Sequence, residues 1–182
     1  MTRIQPLQPT QANEQTQKLL DGVQRGLGMV PNMFRTLAHS SAALSGYLSF
    51  HQALSGALTP VLREKISLAV AGCNGCDYCA SAHTLLGSKA GIPDAELADN
   101  LSGQSSDQRT QAALTFARAV VESRGRVGDA DVDQLKAEGF TEAEIVEVIS
   151  VVALNVFTNY FNLVADPEID LPVVAAATAS AT

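Results

Sequence analysis

Tryptophan is absent, and aromatic residues make up only 5% of the 182 positions. A core with so few rings must be filled mainly by Ala, Leu and Val, which favours closely packed helices. Positive charge is scarce: 12 Lys and Arg stand against 19 Asp and Glu, a formal net charge of -7. No block of Lys and Arg stands out, so the basic stripe of a nucleic-acid binder is missing. An anionic membrane surface is disfavoured for the same reason. The stretch from Met1 to Gln17 is polar and has no apolar h-region, unlike a secretory signal. No apolar run reads as approaching the roughly 20 residues that span a bilayer. The expectation is a cytoplasmic chain with no nucleic-acid partner and no membrane. Cysteine is scarce too, and all three fall within seven positions, at Cys73, Cys76 and Cys79. An odd, tight cluster is not the disulfide framework of a secreted fold. In a reducing compartment it reads as catalytic or metal-binding.

What is present is the profile of one folded domain, with 46% hydrophobic and 17% charged residues. The domain is expected to span 1–182, with 1–27 as an N-terminal extension and 172–182 as a loosely ordered, Ala/Thr-rich tail. There is no internal repeat, and nothing reads as a strand. Helices are expected over 12–26, 32–38 and 41–55. Thr59-Pro60 starts another, with Thr as N-cap and Pro at the first helical position, running to about Ala71. Cys73-Asn74-Gly75 reads as a turn. A helix from Cys76 to Ala90 follows, then 94–101, 107–123 and 129–138. Thr141-Glu142-Ala143-Glu144 is a capping box. The helix after it, to about Val164, is apolar nearly all round, as in a central helix or a subunit interface.

The chemistry concentrates between Glu64 and His83. Cys76 and Cys79, at i and i+3 of a helix start, place their Cα atoms about 5 to 6 Å apart, within disulfide range. Free N–H groups and the helix dipole at that end favour a thiolate. His83 is one turn beyond Cys79 on the same face and suits a Cys–His proton exchange. Glu64 lies about eight residues before the turn and His83 about eight after it, each roughly 12 Å away along its helix. If the two helices fold back antiparallel, carboxylate and imidazole are level and can meet. Small residues at Ser67, Ala71, Ala80, Ala82 and Gly87 would let the helices close up. Zinc is the competing use of Cys73, Cys76, Cys79 and His83, but the usual structural site draws on two ligand pairs separated by a long loop. Redox chemistry is the better reading, and it calls for no cofactor and no metal. Cys73 reads as a small buried hydrophobe. His39 and His51 have no partner motif and read as structural. Asn155, Asn159 and Asn162 form one polar stripe, expected to satisfy backbone or interface hydrogen bonds. Proximity to the helix end favours Cys76 as the stronger thiolate, whereas the i+4 histidine favours Cys79.

The spacing Glu64-x11-Cys76-x2-Cys79-x3-His83, with Asn74-Gly75 and Tyr78 around it, resembles the alkylhydroperoxidase D-like (AhpD-like) branch of the carboxymuconolactone decarboxylase family. Pro31-Asn32-Met33-Phe34-Arg35 and the run from Ala153 to Tyr160 are similar to its uncharacterised peroxidase-related subgroup. The resemblance covers about Gly28 to Asp170. It implies an all-α, AhpD-like helical bundle with the CxxC at a helix N-terminus, and a thiol-dependent peroxidase acting on organic hydroperoxides. Cys79 would be the peroxidatic residue, Cys76 the resolving one, and His83 with Glu64 the proton relay. An external dithiol or a lipoylated protein would reduce the pair. Family members assemble as trimers or as hexamers built from trimers, so a homo-oligomer, preferably a hexamer, is expected. Two alternatives remain: a disulfide reductase or redox sensor using the same CxxC, and a zinc-binding or structural assembly module. Relatives with an assigned peroxidase role often carry a histidine where this chain has Tyr78. The decarboxylases that name the family generally lack the CxxC pair, which argues against lactone decarboxylation.

Overall fold

The structure, a computed structural model, describes residues 2–176. Among these are nine α-helices and no strand: α1 (Glu14–Leu27), α2 (Asn32–Leu37), α3 (Ser41–Ala53), α4 (Pro60–Asn74), α5 (Asp77–Lys89), α6 (Asp94–Leu101), α7 (Gln108–Glu122), α8 (Asp129–Ala137) and α9 (Glu142–Ala165). The expected all-α architecture is therefore the observed one. Local chemistry sets most boundaries. The Thr59 hydroxyl caps α4 by accepting from the backbone N–H of Leu62, with Pro60 in the first turn. Thr141 and Glu144 form the reciprocal capping box that opens α9.

Helix α4 is the hub and packs against α5, α6, α7 and α9. Its residues from Lys65 to Gly72 are all buried. Close approach depends on its small residues. A Cβ added at Gly72 would run into the carbonyl of Leu101 in α6, so only glycine fits there. Ile66, Ala69 and Val70 meet Ala113, Leu114 and Ala117 of α7 and Val148 and Val152 of α9 in the main core. A second apolar cluster surrounds the cysteine pair, bringing Met33, Leu68, Tyr78, Leu97 and Leu101 together with Cys76 and Cys79.

Three expectations change in the structure. Cys73 and Asn74 do not form a turn: α4 continues through them and stops only at Gly75, which sits in the left-handed region at φ 65°. An Asn-Gly pair suits a turn, but glycine is also the residue that best closes a helix. Second, α9 is 24 residues with a window of mean hydropathy 1.6, long and apolar enough by length and composition to cross a membrane. Half of that window is buried inside the chain. Its inner face packs on α4 and α7, which is the setting of a core helix. Third, residues 172–176 are not loose. The N–H of Val174 donates to Ser81 Oγ (2.9 Å) and that of Ala176 to Asp77 Oδ1 (2.8 Å), so this segment is tied along the first turns of α5. The rest of the expected tail lies outside the described residues. At the other terminus, the backbone N–H groups of Arg3 and Ile4 donate to Ala165 O, and Arg3 Nη1 donates to Leu163 O and Val164 O. The N-terminal segment thus satisfies the carbonyls that end α9.

Candidate active site

Gly75 turns the chain from α4 into α5, and Cys76 becomes the N-cap of α5. Its Sγ accepts the backbone N–H of Cys79 at 3.3 Å. Cys76 and Cys79 are joined as a disulfide, with Cα atoms 5.3 Å apart, as their i, i+3 spacing requires. Both are almost fully buried, at 1% and 3% exposure. Any reagent that reaches them must enter a tight site.

One turn further along α5, the His83 ring turns toward α4, and its Nδ1–H donates to Glu64 Oε2 at 2.8 Å. Each side chain keeps 20% of its surface open. The antiparallel register of α4 and α5 therefore brings the carboxylate level with the imidazole, as the sequence distances required. Gly87 helps: a Cβ there would press on Leu97 and Ile92 and come within 3.9 Å of Glu64 Cβ. With Nδ1 engaged by the carboxylate, the ring orientation is held and Nε2 is left for other partners.

Three residues outside the expected set belong to this neighbourhood. Asn162 of α9 donates its Nδ2–H to Cys79 Sγ at 3.3 Å. Tyr47 and His51 of α3 lie in the field of Glu64. Burial, and then the Glu64 charge, pushes the Tyr47 phenol well above its ordinary range. Burial holds the His51 imidazole below its usual value, opposed by Glu64 and aided by His83 and Arg63. None of these charges is adjacent to His51 in sequence. Tyr47 also meets Phe34 and Phe157, with ring centroids 5.8 and 6.2 Å away, and Phe157 meets Phe161 at 6.5 Å. These rings form a chain of contacts running across α2, α3 and α9.

The remaining candidates separate. Cys73 is half-buried rather than buried, and its Sγ faces Glu122 Oε1 at 3.7 Å. Burial, and then the Glu122 charge, pushes its thiol up, so the neutral form is favoured. His39 contacts the Gln5 carbonyl and serves the N-terminal segment. Among the described residues no group of three or more His, Cys, Asp or Glu is placed to hold a metal ion. Tyr78 is a tie point. Its hydroxyl donates to Asp170 Oδ1 (2.8 Å) and accepts the Met33 N–H (3.1 Å), binding α2 and the chain after α9 to α5. Burial is the first cause that keeps this phenol far above its ordinary pKa, so it remains protonated.

A helical bundle with a CxxC pair at the head of one helix and a Glu–His pair one turn further along is the arrangement of an AhpD-like fold. The stretch 41–123, which holds Glu64, Cys76, Cys79 and His83, matches the model of the Carboxymuconolactone decarboxylase family. Among solved structures, it resembles the alkylhydroperoxidase AhpD core of an uncharacterised peroxidase-related protein from Ralstonia eutropha JMP134. That match has a TM-score of 0.81 and 26% identity, over 94% of this chain and 92% of the other. It shares the fold of an uncharacterised peroxidase-related protein from Silicibacter sp. TM1040, with a TM-score of 0.77, 22% identity, and coverage of 92% and 89%. It also shares the fold of the debrominase Bmp8, solved as a cysteine-to-alanine variant in complex with 2,3,4-tribromopyrrole, with a TM-score of 0.80, 21% identity, and coverage of 93% and 92%. No curated protein matches the sequence.

Proposed function

We propose that this protein is a thiol-dependent peroxidase that reduces organic hydroperoxides through Cys76 and Cys79. The observation that carries this reading is the Cys76–Cys79 pair at the head of α5, with the His83–Glu64 pair one turn further along. The Cys79 thiolate attacks the outer peroxide oxygen and becomes a sulfenic acid, releasing an alcohol. The thiolate of Cys76 then displaces water from that sulfur and closes the disulfide. An external dithiol, free or carried on a lipoylated protein, reopens it by exchange. His83 passes the proton through Nε2, and Glu64 supports its charged form through Nδ1.

Stopped-flow oxidation of the reduced protein by cumene hydroperoxide tests this. The expected outcome is a second-order rate well above that of free cysteine at the same pH. A rate no faster than free cysteine would leave the pair as a disulfide reductase or redox sensor. The likeness to Bmp8 supports a second reading, in which the thiolate acts on a halogenated ring. The aromatic side chains of Phe34, Tyr47, Phe157 and Phe161 between the helices are compatible with a flat apolar substrate. Bromide release from tribromopyrrole, with no peroxide consumption, would favour it.

We also propose a homo-oligomer. Val146, Ile149, Tyr160 and Val164 are exposed at helical spacing along the outer face of α9. Light scattering after size exclusion is expected to give a mass of three or six chains. A monomer at micromolar concentration would remove this proposal.

A further inference from the structure

The three buried asparagines of α9 do different things. Asn155 uses its amide nitrogen twice, Nδ2 donating to Ser67 Oγ and Val151 O, both at 2.9 Å. Asn159 Oδ1 accepts from Asn74 Nδ2 at 2.9 Å and so holds the end of α4, two residues before Cys76. Asn162, only 4% exposed, directs its Nδ2–H at Cys79 Sγ. Its Oδ1 has no hydrogen-bond partner among the described residues. A half-satisfied amide at a buried position costs stability relative to an apolar side chain of the same size. A disulfide sulfur is a weak acceptor and offsets little of that cost. The contact becomes strong only when the sulfur is a thiolate, because the hydrogen bond is then charge-assisted.

The backbone of α5 does not supply this to Cys79. Its first-turn N–H is given to Cys76 Sγ, and Cys76 stands nearest the positive end of the helix dipole. Left to α5 alone, Cys76 would be the better thiolate. A donor from another helix reaches Cys79 instead.

We propose that Asn162 is a catalytic residue: its amide N–H stabilises the Cys79 thiolate and makes Cys79, rather than Cys76, the attacking sulfur. The inference rests on the thiol-redox reading above. In the first step Cys79 S⁻ bonds to the outer oxygen of ROOH, the O–O bond breaks, and RO⁻ leaves and is protonated to ROH. The sulfenic acid at Cys79 no longer carries the charge, so the Asn162 bond weakens as the negative charge passes to the leaving group. Cys76 S⁻ then bonds to Cys79 Sγ, and the S–O bond breaks, with hydroxide protonated to water. An external dithiol supplies the two electrons that reopen the disulfide and is itself oxidised to a disulfide.

The test is the pH profile of Cys79 alkylation by iodoacetamide, in reduced full-length protein with Cys73→Ser and Cys76→Ser as background. Asn162→Leu keeps the volume and removes the donor. Its alkylation midpoint should rise by about one pH unit, an approximately tenfold loss of rate at neutral pH, with the high-pH plateau retained. Asn162→Asp should raise the midpoint as well, because an anion then faces the thiolate. A folded Asn162→Leu protein with an unchanged profile overturns the assignment. If that variant does not fold, an unchanged midpoint in Asn162→Asp does so. Alkylation does not involve peroxide. A shifted profile in a protein that is inert to hydroperoxide therefore upholds the role of Asn162 while removing the peroxidase reading.

Discussion

Cys79→Ser is expected to abolish hydroperoxide turnover, by about a thousandfold or more, because a covalent nucleophile has no substitute in its own site. Serine is close to cysteine in size, so a residue that is 3% exposed in a packed cluster is replaced without opening a large void. The hydroxyl does not ionise near neutral pH, and the oxygen accordingly stays inert toward peroxide. Cys76→Ser should behave differently. It leaves the attacking sulfur intact, so a single equivalent of peroxide is consumed and Cys79 stops as a sulfenic acid. Dimedone should then label Cys79, read as one adduct by mass spectrometry of the peptide. The reversed pattern, with label on Cys76 in the Cys79→Ser protein, would exchange the two roles. Full turnover in both single variants would remove the pair from the reaction.

The parts legible in the sequence are those set by local chemistry or by distance along the chain. Thr59-Pro60 and the Thr141 to Glu144 box announce two helices because capping needs those side chains at those offsets. The meeting of Glu64 and His83 was legible because both lie a similar number of residues from one turn, and an antiparallel pair makes equal distances coincide. What depends on a third helix was not legible. Periodicity marks Asn162 as an inward polar residue but cannot say that the sulfur 83 positions earlier is its partner. His51 reads as structural for want of a nearby motif, and the charges that bear on it, Glu64 and His83, lie on α4 and α5. The tail escaped for another reason. Val174 and Ala176 are held through their backbone N–H groups, and a backbone donor leaves no mark on composition.

His83→Ala is expected to lower peroxide turnover at neutral pH by about 10²- to 10⁴-fold, the span usual for a positioned acid–base group. The loss should shrink as pH rises, since hydroxide can remove the thiol proton where the imidazole is missing. The reaction of Cys79 should therefore begin at higher pH, with its alkaline plateau largely kept. Glu64→Gln should cost less, about tenfold, because a glutamine oxygen can still accept from Nδ1–H but no longer balances an imidazolium charge. The discriminating measurement is the double variant. Glu64 touches His83 at 2.8 Å, and the proposal gives it no separate task. His83→Ala with Glu64→Gln should then be no slower than His83→Ala alone, a strongly non-additive pair. Additive losses would mean that Glu64 acts on the reaction by a second route. Its electrostatic reach to Tyr47 and His51 identifies α3 as the place to look for that route. An unchanged pH profile in His83→Ala would take the histidine out of the relay, leaving Asn162 as the group that sustains the Cys79 thiolate.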